Sequence, residues 1–288
     1  MKIGLVFPQT EAGGDPRAIG RIGIGAEQLG YASLTVYDHV LGASHDREPP
    51  LTGGYDETHP FHDPFVMFAY LAGVTRTIEL VTGVMVLPQR QTVLVAKQAA
   101  DVDLLSNERL RLGVGIGWNH VEYAAMGQDF GTRGKRLEEQ VALLRKLWRE
   151  PLVRFEGRFD TVDRAALVPR PRRTIPIWMG GFAPVARRRA AALADGFIFA
   201  DTTGAAFDQL PELRGFLAET GRAEGFGMHL DMLQAKSAAA VVDLALRWRD
   251  AGGTHAAVNT MGQGLATADA HLAYATDVAE ALQKAGLL

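Results

Sequence analysis

Short apolar runs rich in β-branched residues alternate with longer segments whose apolar positions recur every three or four residues. The short runs predict strands at 3–7, 34–37, 79–86, 110–115, 175–179, 196–199, 228–233 and 256–259. Between them the spacing predicts helices at 16–29, 64–74, 93–105, 134–148, 184–194, 205–219, 238–251 and 267–285. The clearest helix is 134–148, where Leu137, Val141, Leu144 and Leu147 share one face and Pro151 ends the element. Asp15, just before Pro16, reads as an N-cap. Residues 152–174 break the rhythm as an excursion, with a hairpin pairing 153–155 and 158–160.

Eight strand–helix units with no intervening linker predict a parallel sheet closed into one (β/α)8 TIM barrel with insertion loops. The expectation is a single α/β domain over residues 1–288, with an open doubly wound sheet as the alternative. Active sites of such barrels lie at the carboxyl ends of the strands, so polar residues and glycines there become candidates.

Composition narrows the function further. With 30 Lys and Arg against 33 Asp and Glu, the chain lacks the basic excess of a nucleic-acid binder. It has no cysteine, which removes disulfides, thiolate nucleophiles, iron–sulfur clusters and Cys-ligated zinc together. The apolar stretch 78–87 is interrupted by Glu79, Thr82 and Gly83, so no membrane span is expected. The first apolar run ends at Pro8, too soon for a signal peptide, and a cytoplasmic protein acting on a small molecule is the expectation.

Four strand ends carry candidate chemistry. Asp38 and His39 close the second strand; a histidine there can move protons, and the adjacent carboxylate can orient it. The alternative is a polar strand end that merely starts a loop. Thr82-Gly83-Val84 lies inside the third strand, where a glycine marks either tight packing or close approach of a ligand. Gly113-Val114-Gly115-Ile116-Gly117-Trp118 follows the fourth strand but departs from the dinucleotide fingerprint, because Trp118 stands at its last glycine position. Gly180-Gly181 leads into a helix with Pro184 in its first turn, an arrangement suited to an anion or to a tight turn. Arg133 or Arg136 could reach the same anion, whereas the runs 170–173 and 187–189 read as solvated faces.

Residues 41–63 form a long insertion that suits a lid, with Tyr55 and Phe61 as apolar contacts. Its His45, Asp46, Asp56, His59, His62 and Asp63 match no zinc-binding spacing, and no metal site is expected. Lys2, Lys97, Lys135, Lys146 and Lys284 stand on helices or at a strand start, and only Lys236 falls near a strand end, which argues against Schiff-base chemistry.

The stretches 80–90, 96–100, 104–106 and 110–118 together resemble the luciferase-like monooxygenase superfamily, and within it the oxidoreductases that use the deazaflavin coenzyme F420. Phe7-Pro8, Asp38-His39, Asp129-Phe130-Gly131 with Arg133 and Arg136, Ile177 to Gly181 and Ala194-Asp195-Gly196 extend the resemblance, which is dense to about residue 200 and thin beyond. It implies a TIM barrel that holds the coenzyme across its strand ends, with a non-proline cis peptide at Gly83–Val84 behind the ring. The expected coenzyme-binding residues are Phe7, Thr82, Gly83, Val84, Gly115, Gly117, Trp118, Arg133, Gly180 and Gly181. The resemblance places the phosphate near Gly117 and Gly180-Gly181, and Gly83, Val84, Gly115 and Gly117 are the candidates for the ring. His39, with Asp38, would serve proton transfer or coenzyme binding, and a homodimer is implied.

Sugar-phosphate dehydrogenases of that family carry a glutamate where Trp118 stands, and a tryptophan near the position of Ala43. Those departures point away from a sugar phosphate. The resulting expectation is hydride transfer between F420 and a small organic substrate. The alternatives are an FMN-dependent monooxygenase fed by a separate flavin reductase, or a flavin-binding protein without turnover.

Overall fold

A computed structural model gives residues 1–201 and 203–288, position 201 by its backbone. Its strands are β1 (Lys2–Val6), β2 (Ser33–Val36), β3 (Glu79–Thr82), β4 (Met85–Val86), β5 (Leu110–Gly115), β6 (Val153–Glu156), β7 (Thr161–Ala165), β8 (Ile177–Gly180), β9 (Gly196–Asp201), β10 (Gly227–Met232) and β11 (His255–Val258). The helices are α1 (Gln9–Ala12), α2 (Pro16–Gln28), α3 (Pro64–Val74), α4 (Thr92–Leu105), α5 (His120–Ala125), α6 (Arg133–Arg149), α7 (Pro184–Leu193), α8 (Ala205–Thr220), α9 (Ala238–Asp250) and α10 (Ala268–Lys284).

β3 and β4 are two pieces of one barrel position, so the large sheet has eight positions in parallel register. β1 joins β2 to β11, and β3 pairs with both β2 and β5, which closes the ring and excludes the open sheet. β6 and β7 form a separate antiparallel hairpin after α6, the excursion expected from the sequence. Among the described residues no helix is long and apolar enough to cross a membrane.

The pattern of burial explains why these runs become strands. All four residues of β2 and all six of β5 are buried, as a strand covered by helices on one side and the barrel interior on the other requires. Leu137, Val141, Leu144 and Leu147 of α6 are each at most 2% exposed, and burial of such a side chain stabilises the fold by ~1.5–3 kcal/mol. Asp15 caps α2 by accepting the Arg17 N–H, and Asp63 caps α3 through the N–H groups of Phe65 and Val66.

Charged residues also enter the barrel interior. The His229 ring lies 2.9 Å from the Asp231 carboxylate, with both side chains fully buried. Arg111 stacks its guanidinium 4.5 Å from the Trp178 ring centre and reaches Glu79 at 3.2 Å. Burial holds the His229 imidazole below its ordinary pKa despite Asp231. The arginine-rich runs are less solvated than the sequence suggested. Arg187 is 5% exposed and bonded to Glu212, Gln209 and the Phe182 carbonyl, and Arg173 pairs with the buried Asp103. Long arginine stems bury readily once each guanidinium meets a carboxylate or carbonyl.

Candidate active site

The third barrel position breaks where the sequence analysis placed its ligand-facing glycine. The Gly83–Val84 peptide is cis, and the ladder stops at Thr82 and resumes at Met85. Gly83 and Val84 are partly exposed within an otherwise buried run. The break turns the Val84 side chain across the neighbouring strands. A β-carbon on Gly115 would come 2.5 Å from the Val84 methyl, and one on Gly180 would come 2.9 Å from its other methyl. Gly115 and Gly180 are therefore required by packing against Val84, a reason that sequence spacing does not disclose.

At the next positions along the rim, Ile116, Gly117 and Trp118 after β5, Gly180 at the end of β8 and Gly181 after it are also partly exposed. Gly117 takes a left-handed backbone, φ 61°. Three adjacent barrel positions thus open onto one accessible surface. Phe7 and Thr82 lie beneath it: both are fully buried, and the Thr82 hydroxyl donates to the Gly113 carbonyl at 2.7 Å. Arg133 donates to the Phe130 carbonyl and lies 3.7 Å over that ring, and Arg136 faces the Phe159 ring.

His39 and Asp38 do not act on one another. Asp38 accepts from the Val86 N–H at 2.9 Å and from Arg90 at 2.7 Å, and Arg90 also donates to Asp63 at 2.9 Å. Burial pushes the Asp38 carboxyl up, while Arg90 and the Val86 N–H pull against that shift. Asp38 is taken up by Arg90 and the Val86 N–H, so the carboxylate beside His39 in sequence is not the one bonded to its ring.

The orienting carboxylate is Glu122 of α5. His39 Nδ1 lies 3.2 Å from Glu122 Oε2, and Gln89 donates to the same oxygen at 3.0 Å. Glu122 Oε1 accepts from the N–H groups of Val40 and Leu41, the latter at 3.1 Å. Burial works to raise this carboxyl, but the bonds from His39, Gln89 and Leu41 outweigh it and hold Glu122 below the usual carboxylate range. Asn119 caps α5 and is followed three residues later by a glutamate, a capping pattern that could have revealed the short helix. Nothing in the sequence announces that Glu122 faces His39.

The long insertion closes over this pair. His39 packs edge-on against Tyr55 at 5.5 Å, Phe61 at 4.9 Å and Trp118 at 5.7 Å. Burial raises the Tyr55 phenol to about 12, so it remains neutral. Tyr37, at the end of β2, reaches Asp231 at 3.3 Å and is likewise pushed up by burial. The loop histidines bond to nearby groups: His45 to the Tyr55 carbonyl, His59 to Asp56 and His62 to the Gly13 carbonyl. Lys236 donates to the Met261 carbonyl.

Beside Gly181 a cavity of about 250 Å³ opens, lined by Phe182, Phe199, Ala200, Ala206 and Gln209 among others. The N-cap of α7 is Ala183, which has no side chain able to accept from the first-turn N–H groups. A rim surface across β4, β5 and β8 with an uncapped helix start at its edge fits a flat ring carrying an anionic tail.

The luciferase-like monooxygenase family model matches residues 1–287. An uncharacterized protein of Mycobacterium tuberculosis is 32% identical over 235 residues, 80% of each chain. An F420-dependent glucose-6-phosphate dehydrogenase of Gordonia bronchialis is 33% identical over 199 residues, 66% of this chain and 55% of that protein. Two solved structures share the fold at lower identity. Monooxygenase RslO1 of Streptomyces bottropensis superimposes with a TM-score of 0.82 at 18% identity, over 99% of this chain and all of the other. An F420-dependent secondary alcohol dehydrogenase in complex with an F420–acetone adduct gives 0.79 at 16% identity, over 98% of each. A closed ring of eight parallel strands agrees with those matches, and the chain belongs to the luciferase-like monooxygenase family as an oxidoreductase of that type.

Proposed function

We propose that the protein transfers a hydride between coenzyme F420 and a small, uncharged organic substrate at the carboxyl rim of the barrel. The observation that carries this reading is His39, 10% exposed, held by Glu122 and enclosed by Tyr55, Phe61 and Trp118. Bound, the coenzyme would supply or accept the hydride. The chain's own residues would do the rest. Gly83, Val84, Gly117 and Trp118 support the ring, Gly180 and Gly181 with the start of α7 receive the phosphate, and His39 gives a proton to the substrate oxygen or takes one from it.

The rings around His39 favour an apolar substrate, and the nearby cation, Arg90, is already paired with Asp38 and Asp63. This is support for a substrate other than a sugar phosphate. The same reading includes a homodimer and action of the whole chain as one domain.

Titration of the purified protein with F420 and with FMN, followed by fluorescence, tests the coenzyme, and His39→Ala should lower turnover at least tenfold. Preference for FMN with oxygen-dependent product formation would favour the second reading, a monooxygenase served by a separate reductase, which the likeness to RslO1 supports. Turnover of His39→Ala at the wild-type rate would refute the proton role.

A further inference from the structure

We propose that Glu122 is the positioning residue for His39, fixing the tautomer with hydrogen on Nδ1 and coupling that choice to the seating of loop 41–63. The inference rests on the proton role proposed for His39.

Four donors converge on the Glu122 carboxylate, which is 1% exposed: His39 Nδ1, Gln89 Nε2 and the backbone N–H groups of Val40 and Leu41. An ionised carboxylate only accepts, so the neutral imidazole must present its hydrogen on Nδ1, and Nε2 keeps the lone pair. That nitrogen is the one left for the substrate. In carbonyl reduction the hydride forms the new C–H bond as the C=O π bond opens, and protonated His39 gives its Nε2 proton to the oxygen. In alcohol oxidation Nε2 takes that proton, and Glu122 stabilises the imidazolium.

Val40 and Leu41 follow His39 directly and form the root of the loop that carries Tyr55 and Phe61. The same carboxylate therefore grips the catalytic ring and the start of its cover. Asn119, the cap of α5, adds a bond from its side-chain amide to the Leu41 carbonyl at 3.4 Å.

Among the described residues, the other charged and titratable groups facing this pair make no hydrogen bond to it. Asp38 and Asp63 share Arg90, Tyr55 abuts the His39 ring through its edge, and Tyr37 is turned toward Asp231. Glu122 is the carboxylate that His39 meets at hydrogen-bond distance among the described residues.

The test is nitrogen-15 NMR of histidine-labelled protein together with pH profiles of turnover, for wild type, Glu122→Gln and Glu122→Asp. Glutamine can keep the bonds from Val40 and Leu41 but offers an amide donor to Nδ1, so His39 should move to the Nε2–H tautomer. Turnover should fall about tenfold, no further than in His39→Ala, with the coenzyme dissociation constant within threefold, and the acid–base dependence of turnover should change. Aspartate, which keeps the charge, should restore the Nδ1–H signal and part of the rate. An Nδ1–H signal retained in Glu122→Gln, or turnover within threefold of wild type, would overturn the proposal. Full turnover of His39→Ala would sink the proposed function instead, and the tautomer in Glu122→Gln would still decide the positioning role.

Discussion

Gly53, in the middle of the long insertion, lies flat against the indole of Trp118, so closely that a β-carbon there would overlap the ring. The contact joins the cover to the rim of β5 across the space above His39. Gly53→Ala should hold the loop off the rim at a cost of ~1 kcal/mol, raising KM about fivefold while the melting temperature stays within about 1 °C. Trp118→Ala makes room for that methyl group, so the double variant should show less than the sum of the single losses. Steady-state kinetics and limited proteolysis at 41–63 would check both, and a strictly additive pair would contradict the contact.

Val84 sets the second expectation. Gly115→Ala drives a methyl group into the Val84 side chain, and overpacking of that kind costs ~1–3 kcal/mol. Val84→Ala in the same chain should recover most of the loss in urea unfolding. Failure of that rescue would mean that Gly115 answers to something other than Val84.

The Asp38–Arg90 pair gives the third. Removing one partner of a buried ion pair leaves an uncompensated charge, a loss of ~3–5 kcal/mol. Asp38→Ala should therefore lower the melting temperature by on the order of 10 °C. Changing both residues together, Asp38→Leu with Arg90→Met, should cost much less, as calorimetry can show. Asp63 and the Val86 N–H then remain to be satisfied, so some loss persists.

Acid stability supplies a fourth. His255 is lowered to about 2, first by burial and then by the positive charge of Arg111. Its ordinary value is 6.5, so the unfolded chain takes up a proton that the folded chain refuses. Stability from this group is complete above pH 6.5 and is lost progressively as pH falls toward about 2. His255→Gln should flatten the decline of melting temperature between pH 6.5 and 4, as thermal unfolding across that window would reveal; an unchanged slope would remove His255 as a source.

The fold was legible because barrel strands and helices carry different periods. α3 agrees with its expected 64–74 at both ends, and α6 differs by one residue at each. Apolar patterning alone predicts a continuous third strand over 79–86, while the family resemblance implies a cis peptide at Gly83–Val84; the peptide is cis and the strand is split there. The short helices α1 and α5 escaped because four and six residues define no face.

At the candidate site, the sequence predicts His39 and Gly180-Gly181 at strand ends and Gly83 inside the third strand, whereas the structure breaks that strand at Gly83. The sequence assigned the wrong carboxylate to His39, because adjacency along the chain is not adjacency in space. Glu122 is 83 positions away. The charged cluster of Arg111, His229 and Asp231 was equally invisible, as each residue lies in a separate strand or on one with only a two-residue interval.

Arg90 donates to Asp38 just before the long insertion and to Asp63 at its end. A single side chain thus pins both feet of that segment, whatever its middle contains. Replacement of residues between the feet, even by a stretch of different length, adds little closure cost, since that cost rises only by about 0.6 kcal/mol per doubling. The barrel and α3 would feel little of the exchange. With His39, Val40 and Leu41 left in place for Glu122, the segment should behave as an interchangeable cassette, and covers from other barrels grafted between Leu41 and Asp63 should alter substrate preference.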